Sequence, residues 1–189
     1  MKFANLHNHT DLGSFDSIMT PKKFVARLQD IEQEHLVQTD HGTLRGMVTI
    51  AKEAQKAGIK YVPGLEAYVT FNQPTKAKDE FNRLYYHMLL IAKNNNGLKN
   101  LQRLLSMSYR PSHMYYKPRL GLQDIFDHSE GLIATSGCLA SLTSCTILAE
   151  ANGHENMTCS QCHILGHPCD DHEVPEDIIL DPSMRGVRS

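Results

Sequence analysis

Leu6-His7-Asn8-His9-Thr10 closes a short N-terminal run, Lys2-Phe3-Ala4-Asn5-Leu6, that reads as a β-strand. Side chains of a strand alternate between faces, so His7 and His9 point the same way. Two imidazoles side by side can hold one metal ion. The other reading of an H-x-H pair is one core histidine beside one solvated one. The rest of the chain weighs on that choice. Asp16, Asp40-His41, Glu66, His87 and Cys138 follow, most of them at or near the end of a stretch that reads as a strand.

Working outward from the histidines, Asp11 to Thr20 is a loop. Thr20-Pro21 then opens a helix, with Thr as N-cap and Pro at the first helical position. Phe24, Val25, Leu28 and Ile31 carry it at helical spacing to about Glu34. Leu36-Val37-Gln38 is a short apolar run leading into Thr39-Asp40-His41-Gly42. A second helix covers Leu44 to Ala57, and Gly58 ends it. Ile59 to Thr70 is strand-like with a break at Pro63-Gly64 and carries Glu66. Tyr85 to Ala92 is an apolar strand containing His87. Leu98, Leu101, Leu104 and Leu105 mark a third helix, Tyr115 to Leu120 a loop, and Leu122 to His128 a short helix. Gly131 to Thr135 is a last strand before Ser136-Gly137-Cys138. Alternating strands and helices predict an α/β fold with a mainly parallel sheet. In such folds reactive groups gather at the C-terminal ends of strands. His7, His9, Asp40-His41 and Cys138 sit at such ends, whereas Glu66 and His87 lie within or near the start of theirs.

Composition narrows the function classes. The chain has 189 residues, 41% hydrophobic and 21% charged, with a net charge of −2. That suits one soluble domain with a core of its own, and gives no overall basic field for coating nucleic acid. No apolar run is long enough to span a membrane and no secretory core opens the chain, so the expected compartment is the cytoplasm. Eleven histidines favour metal chemistry, and five cysteines, an odd number, argue against a disulfide framework.

Several strings stand in a familiar order: Leu6-His-Asn-His-Thr-Asp11, Thr39-Asp-His-Gly42, Gly64-Leu-Glu-Ala-Tyr-Val69, Tyr86-His-Met-Leu-Leu-Ile-Ala-Lys93, Tyr115-Tyr-Lys-Pro-Arg119 and Ser129-Glu-Gly-Leu-Ile-Ala-Thr-Ser-Gly-Cys138. Over residues 1 to about 140 they resemble the PHP (polymerase and histidinol phosphatase) domain at the N-terminus of the bacterial replicative DNA polymerase III alpha subunit. The resemblance implies a PHP-type distorted (β/α)7 barrel, here truncated, with divalent metals (zinc, manganese or iron) at its mouth. It implies His7, His9, Asp16, His41, Glu66, His87 and Cys138 as ligands, with Asp16, His41 and Glu66 in catalytic roles. Asp40 would orient His41 as an outer acceptor. Arg119 would either face a phosphate or stand solvated on its loop.

The function so implied is the PHP part of a polymerase in DNA replication, with metal-dependent phosphoesterase or 3′–5′ exonuclease chemistry. Its partners would be DNA, chiefly single-stranded 3′ ends, and other polymerase regions or replisome subunits. The family closes its metal cluster with a later Asp-x-His pair that finds no match here. No palm, fingers or clamp-binding region is matched either. This chain alone is therefore expected to polymerise nothing and to be weak or inactive as an exonuclease. Two alternatives stay open: an inactive structural module of the same fold, and a histidinol-phosphatase-like phosphoesterase, which the Gly64 and Tyr115 strings disfavour.

From about residue 141 the text changes to a short Cys/His-rich tail. Cys159-x2-Cys162-x4-His167-x4-His172 has the spacing of a zinc knuckle, a possible separate zinc site. A second reading takes Cys159-x2-Cys162 with Asp171-His172 as the start of an HNH-type nuclease, and a third takes the tail as a segment without structure.

Overall fold

The computed structural model describes residues 3–13, 17–74 and 85–151. In chain order its elements are α1 (Pro21–Asp30), β1 (His35–Gln38), α2 (Met47–Lys56), β2 (Lys60–Thr70), β3 (Tyr86–Ala92), α3 (Asn95–Ser108), β4 (Met114–Tyr115), β5 (Lys117–Gly121), α4 (Leu122–Asp127), β6 (Leu132–Thr135) and α5 (Leu142–Ala151). Two compact units divide it, Met1–Leu142 and Thr143–Ser189. The second is described only over α5. No helix among the described residues is long and apolar enough to cross a membrane.

Local sequence chemistry sets the helix ends. Thr20 caps α1 by accepting from the Lys23 N–H. The helix stops at Asp30, short of Glu34, in a turn built on Glu32 at φ 54. There the Gln33 N–H reaches back to Leu28 O and the Glu32 N–H to Gln29 O, a Schellman pattern with Glu where Gly is usual. Phe24, Val25 and Leu28 of α1 pack with Leu36, Ile50, Ala54 and Ile59 in one core cluster.

β2 is the strand on which the rest is assembled. β1 pairs with it in parallel from His35↔Lys60 to Gln38↔Pro63. β3 pairs with it antiparallel from Gly64↔Ile91 to Val69↔Tyr86, and β5 in parallel from Tyr68↔Arg119. The order is β4-β5-β2-β3-β6, with β1 on β2. Pro63-Gly64 does not break β2 as the sequence suggests. The N–H groups of Lys60 and Glu66 both donate towards the β1 edge. Even positions therefore face β1, and Pro63 turns its missing donor to the opposite edge, where pairing with β3 begins only at Gly64. At Gly64 a Cβ would lie 2.9 Å from Gln38 O and 3.1 Å from Leu90 O, so the crossing strands fit only around glycine.

The sheet is mixed rather than mainly parallel. β3 returns against β2, and β6 against β3. The stretch from Tyr115 to Leu120, expected as a loop, forms the β4–β5 hairpin, turning at Tyr116 with φ 55. One face of β2 presents Leu65, Ala67 and Val69 to a core shared with Leu90, Leu101, Leu104, Leu120 and Ile125. The other face presents Glu66 and Tyr68.

Candidate metal centre

Residues 3 to 10 form no strand. In place of a ladder, one backbone hydrogen bond and several side-chain bonds hold this stretch. Asn8 N–H donates to Thr39 Oγ1 at 2.9 Å, Thr39 N–H to Asn8 O at 3.0 Å, and Asn8 Nδ2 to Val37 O at 3.0 Å. Asp40, expected to orient His41, does otherwise. Its buried carboxylate accepts from Thr10 N–H at 2.6 Å, Thr10 Oγ1 at 2.8 Å and Gln38 Nε2 at 2.6 Å. It thus fixes the backbone that carries His7 and His9. The reason is register: His41 bridges to Glu66 in parallel, and its neighbour Asp40 faces the other way, into the Thr10 turn.

The remaining groups arrive on the ladder. Glu66 sits mid-strand in β2. His87 is near the start of β3, and because β3 runs antiparallel to β2, its start lies beside the same stretch of β2. Cys138 follows β6, and the Ala140 carbonyl accepts from the His87 N–H at 2.9 Å.

All of these converge on Glu66, whose side chain is wholly buried. Its Oε2 lies 2.7 Å from His7 Nε2, 3.2 Å from His9 Nε2 and 3.3 Å from His41 Nδ1. Its Oε1 lies 2.9 Å from His87 Nδ1 and accepts from Cys138 Sγ at 3.7 Å. Cys138 Sγ is also 3.3 Å from His87 Nδ1, and the Nε2 atoms of His7 and His9 are 3.0 Å apart. Burial alone would raise the Glu66 carboxyl. Hydrogen bonds from His87, His9 and His7 and the charge of His41 outweigh it and hold the group well below the usual carboxylate range. Burial pushes the Cys138 thiol up, the Glu66 carboxylate adds to that, and a backbone hydrogen bond at Ala140 opposes it.

The donor set fits divalent cations. Two groups, His7-His9-Glu66 and His41-Glu66-His87, each bring one ligand atom per residue within 4.8 Å of the others. Imidazole and carboxylate suit zinc, manganese and iron, and a thiolate beside them suits zinc best. Glu66 belongs to both groups, with His7, His9 and His41 around Oε2 and His87 at Oε1.

Other expected residues fall elsewhere. Asp16, Cys159, Cys162, His167 and His172 lie outside the described residues. Arg119, expected on a loop, is in β5 and fully buried. Its guanidinium lies over the Tyr115 ring and its Nε donates to His113 O, with burial lowering its pKa. The sequence reading missed Tyr68, whose ring lies parallel to His41 at 5.7 Å, and Tyr85, stacked on His87 at 6.1 Å. Both stand two residues from a candidate ligand in extended chain, and that spacing was the available signal.

Comparison with known proteins gives three findings. A family profile described as "PHP domain" matches residues 5–162. The DNA polymerase III subunit alpha of Borreliella burgdorferi is 39% identical over 149 residues, covering 78% of this chain and 13% of that protein. That of Treponema pallidum is 36% identical over 141 residues, covering 74% and 12%. The chain thus spans about an eighth of the length of these relatives. Among solved structures, an amidohydrolase from Chromobacterium violaceum aligns at 20% identity and a TM-score of 0.38, over 55% of this chain and 33% of that one.

Proposed function

The chain belongs to the PHP-domain family, and on that premise we propose that it is the PHP part of a bacterial-type replicative DNA polymerase alpha subunit, with a metal-dependent phosphoesterase site acting on DNA 3′ ends. The observation that supports this reading best is Glu66, one buried carboxylate shared between two histidine pairs. His7 and His9, with Asp16 from the adjoining loop, would hold one cation against Oε2. His41, His87 and Cys138 would hold a second.

A pair of divalent cations supplies, when bound, a water ionised near neutral pH and positive charge against a phosphate. The protein's own part is positional. Glu66 stays ionised, so neither oxygen carries a proton that would compete with a cation. Tyr68 lies parallel to His41, with its ring centroid 5.7 Å away. Asp40 fixes the His7–Thr10 backbone through Thr10. The distorted barrel of the family would be closed by strands beyond the six described, and these would add the Asp-x-His pair. The 189-residue chain is therefore proposed to bind metal while showing little or no 3′–5′ exonuclease activity. DNA, other polymerase regions and replisome subunits in the cytoplasm are its proposed partners.

The test is metal content by elemental analysis, with the tail's thiols removed as Cys159→Ser/Cys162→Ser in every sample. His7→Ala/His9→Ala should carry less metal than its parent, and equal content contradicts the reading. In parallel, nucleotide release from a 3′-labelled single strand is compared with Glu66→Ala. Robust release that Glu66→Ala abolishes would show that the missing pair is dispensable. A longer chain that binds metal and still releases nothing would support the structural-module alternative.

A further inference from the structure

We propose that Lys117, rather than Arg119, is the phosphate-positioning cation of this site, its ammonium meeting the backbone of a bound single strand beside the histidine cluster. The proposal rests on the hydrolytic reading above. β5 pairs with β2 at Tyr68↔Arg119, and alternation along β5 puts Lys117 and Arg119 on the face of the sheet that carries Glu66 and Tyr68. The two cations differ in availability. Arg119 is fully buried, its guanidinium over the Tyr115 ring and its Nε donating to His113 O. Lys117 is half-buried, with its Nζ 5.2 Å from the centroid of the Tyr68 ring.

Tyr68 couples that ammonium to the cluster. Its ring is parallel to His41 within 9° and meets His87 edge-on at 5.4 Å. The backbone is anchored there as well. Pro118 packs so closely on the turn after His41 that a Cβ on Gly42 would lie 2.8 Å from its Cγ. Tyr109 Oη donates to Gly42 O at 2.9 Å and holds the same turn.

Among the described residues Lys117 forms no ion pair, so no described carboxylate neutralises its positive charge. An aromatic face attracts an ammonium without consuming its N–H donors. Lysine then offers three donors on a flexible stem, a point charge suited to a phosphate whose exact orientation is set elsewhere. A purely structural role is the competing account, in which Lys117 only ties the hairpin to Tyr68.

The two accounts separate in the salt dependence of binding. The probe is a fluorescein-labelled single-stranded phosphorothioate oligodeoxynucleotide, titrated with the full chain in manganese across a salt series, with metal content and thermal midpoint measured for each variant. Lys117→Met keeps the aliphatic stem and removes the charge. It should weaken binding uniformly across sequences and make the slope of log K against log salt shallower by about 0.7, the value for one phosphate contact on a single strand. Lys117→Arg should restore the slope, and metal content should match the parent in both. A parent that binds no oligonucleotide, or a Lys117→Met chain with a lower thermal midpoint and an unchanged slope, overturns the proposal. Failure of the hydrolytic reading shows separately, as Glu66→Gln retaining the parent's metal content.

Discussion

The two halves of the histidine cluster are held by different means. Glu66 and His87 stand on neighbouring strands, where Glu66↔Leu89 and Tyr68↔His87 fix their spacing through the ladder itself. His7 and His9 stand on irregular chain, and their backbone is placed by the side chains of Asn8, Thr39 and Asp40. The ladder half depends on hydrogen bonds that every residue can make. The irregular half depends on the identity of three side chains. A substitution away from the site should therefore damage the first half through folding and the second half directly.

The most damaging change is to the residue both halves share. Glu66→Gln should remove metal from both groups at once, seen as near-complete loss by elemental analysis with the fold retained by circular dichroism. If one cation stays, the halves do not share their carboxylate. Next in size come the paired histidine variants. His7→Ala/His9→Ala and His41→Ala/His87→Ala should each lower metal content by about half, and a complete loss from either would show one mixed site instead of two.

Asp40→Ala sharpens the comparison, because the carboxylate it removes bonds Thr10 and Gln38 and no candidate ligand. Loss of an outer supporting contact commonly costs roughly 10–100-fold in metal affinity. Here the loss should fall on the His7–His9 group alone, so competition with a chelator should release one cation early and the other at the parent's affinity. A smaller effect of the same kind is expected for Thr39→Val, which deletes the acceptor for the Asn8 N–H. It should cost about 1 kcal/mol by denaturant melting of the metal-free chain, the usual worth of one hydrogen bond.

Acid should distinguish the halves least. The folded carboxyl of Glu66 lies below its unfolded value, so the stability it contributes is fully present above the ordinary glutamate value of about 4.3 and is lost as pH falls from there through the lower folded value. The metal-free parent should lose stability on acidification more steeply than Glu66→Gln. Equal slopes would mean the histidines do not hold the charge.

These contrasts also explain what could be read from the sequence. The helices were legible because their signals are local: Thr20-Pro21, the Phe24-Val25-Leu28 stripe, and Gly58, which takes φ +70 just past α2. That His7 and His9 share a target was legible from the H-x-H spacing, although the strand expected to carry them does not form. The direction of β3 was not legible, since a strand's direction is decided by a partner distant in sequence. Nor was the β4–β5 hairpin, whose turn rests on Tyr116 at positive φ, where glycine or asparagine would have been the signal. Pro63-Gly64 misled for a related reason. Its fit depends on which edge of β2 each residue faces, and only the pairing reveals that. Asp40 was misassigned because adjacency in sequence suggested His41, while adjacent residues near a strand end face opposite ways.

The alternation along β2 has a consequence for which length changes the gene can tolerate. Between Gly64 and Thr70 the chain serves the apolar core with one set of residues and the histidine cluster with the next, and both edges are occupied. Adding or deleting a single codon there would shift all later side chains to the opposite face. Leu65 or Ala67 would then meet the imidazoles while a carboxylate entered the packing under α3. A two-codon change would restore the faces yet slide Tyr68 past His87 and Arg119 on both sides. This segment should therefore accept substitutions at its apolar positions but hold its length fixed, whereas the exposed end of α2 near Lys56 is free of that constraint.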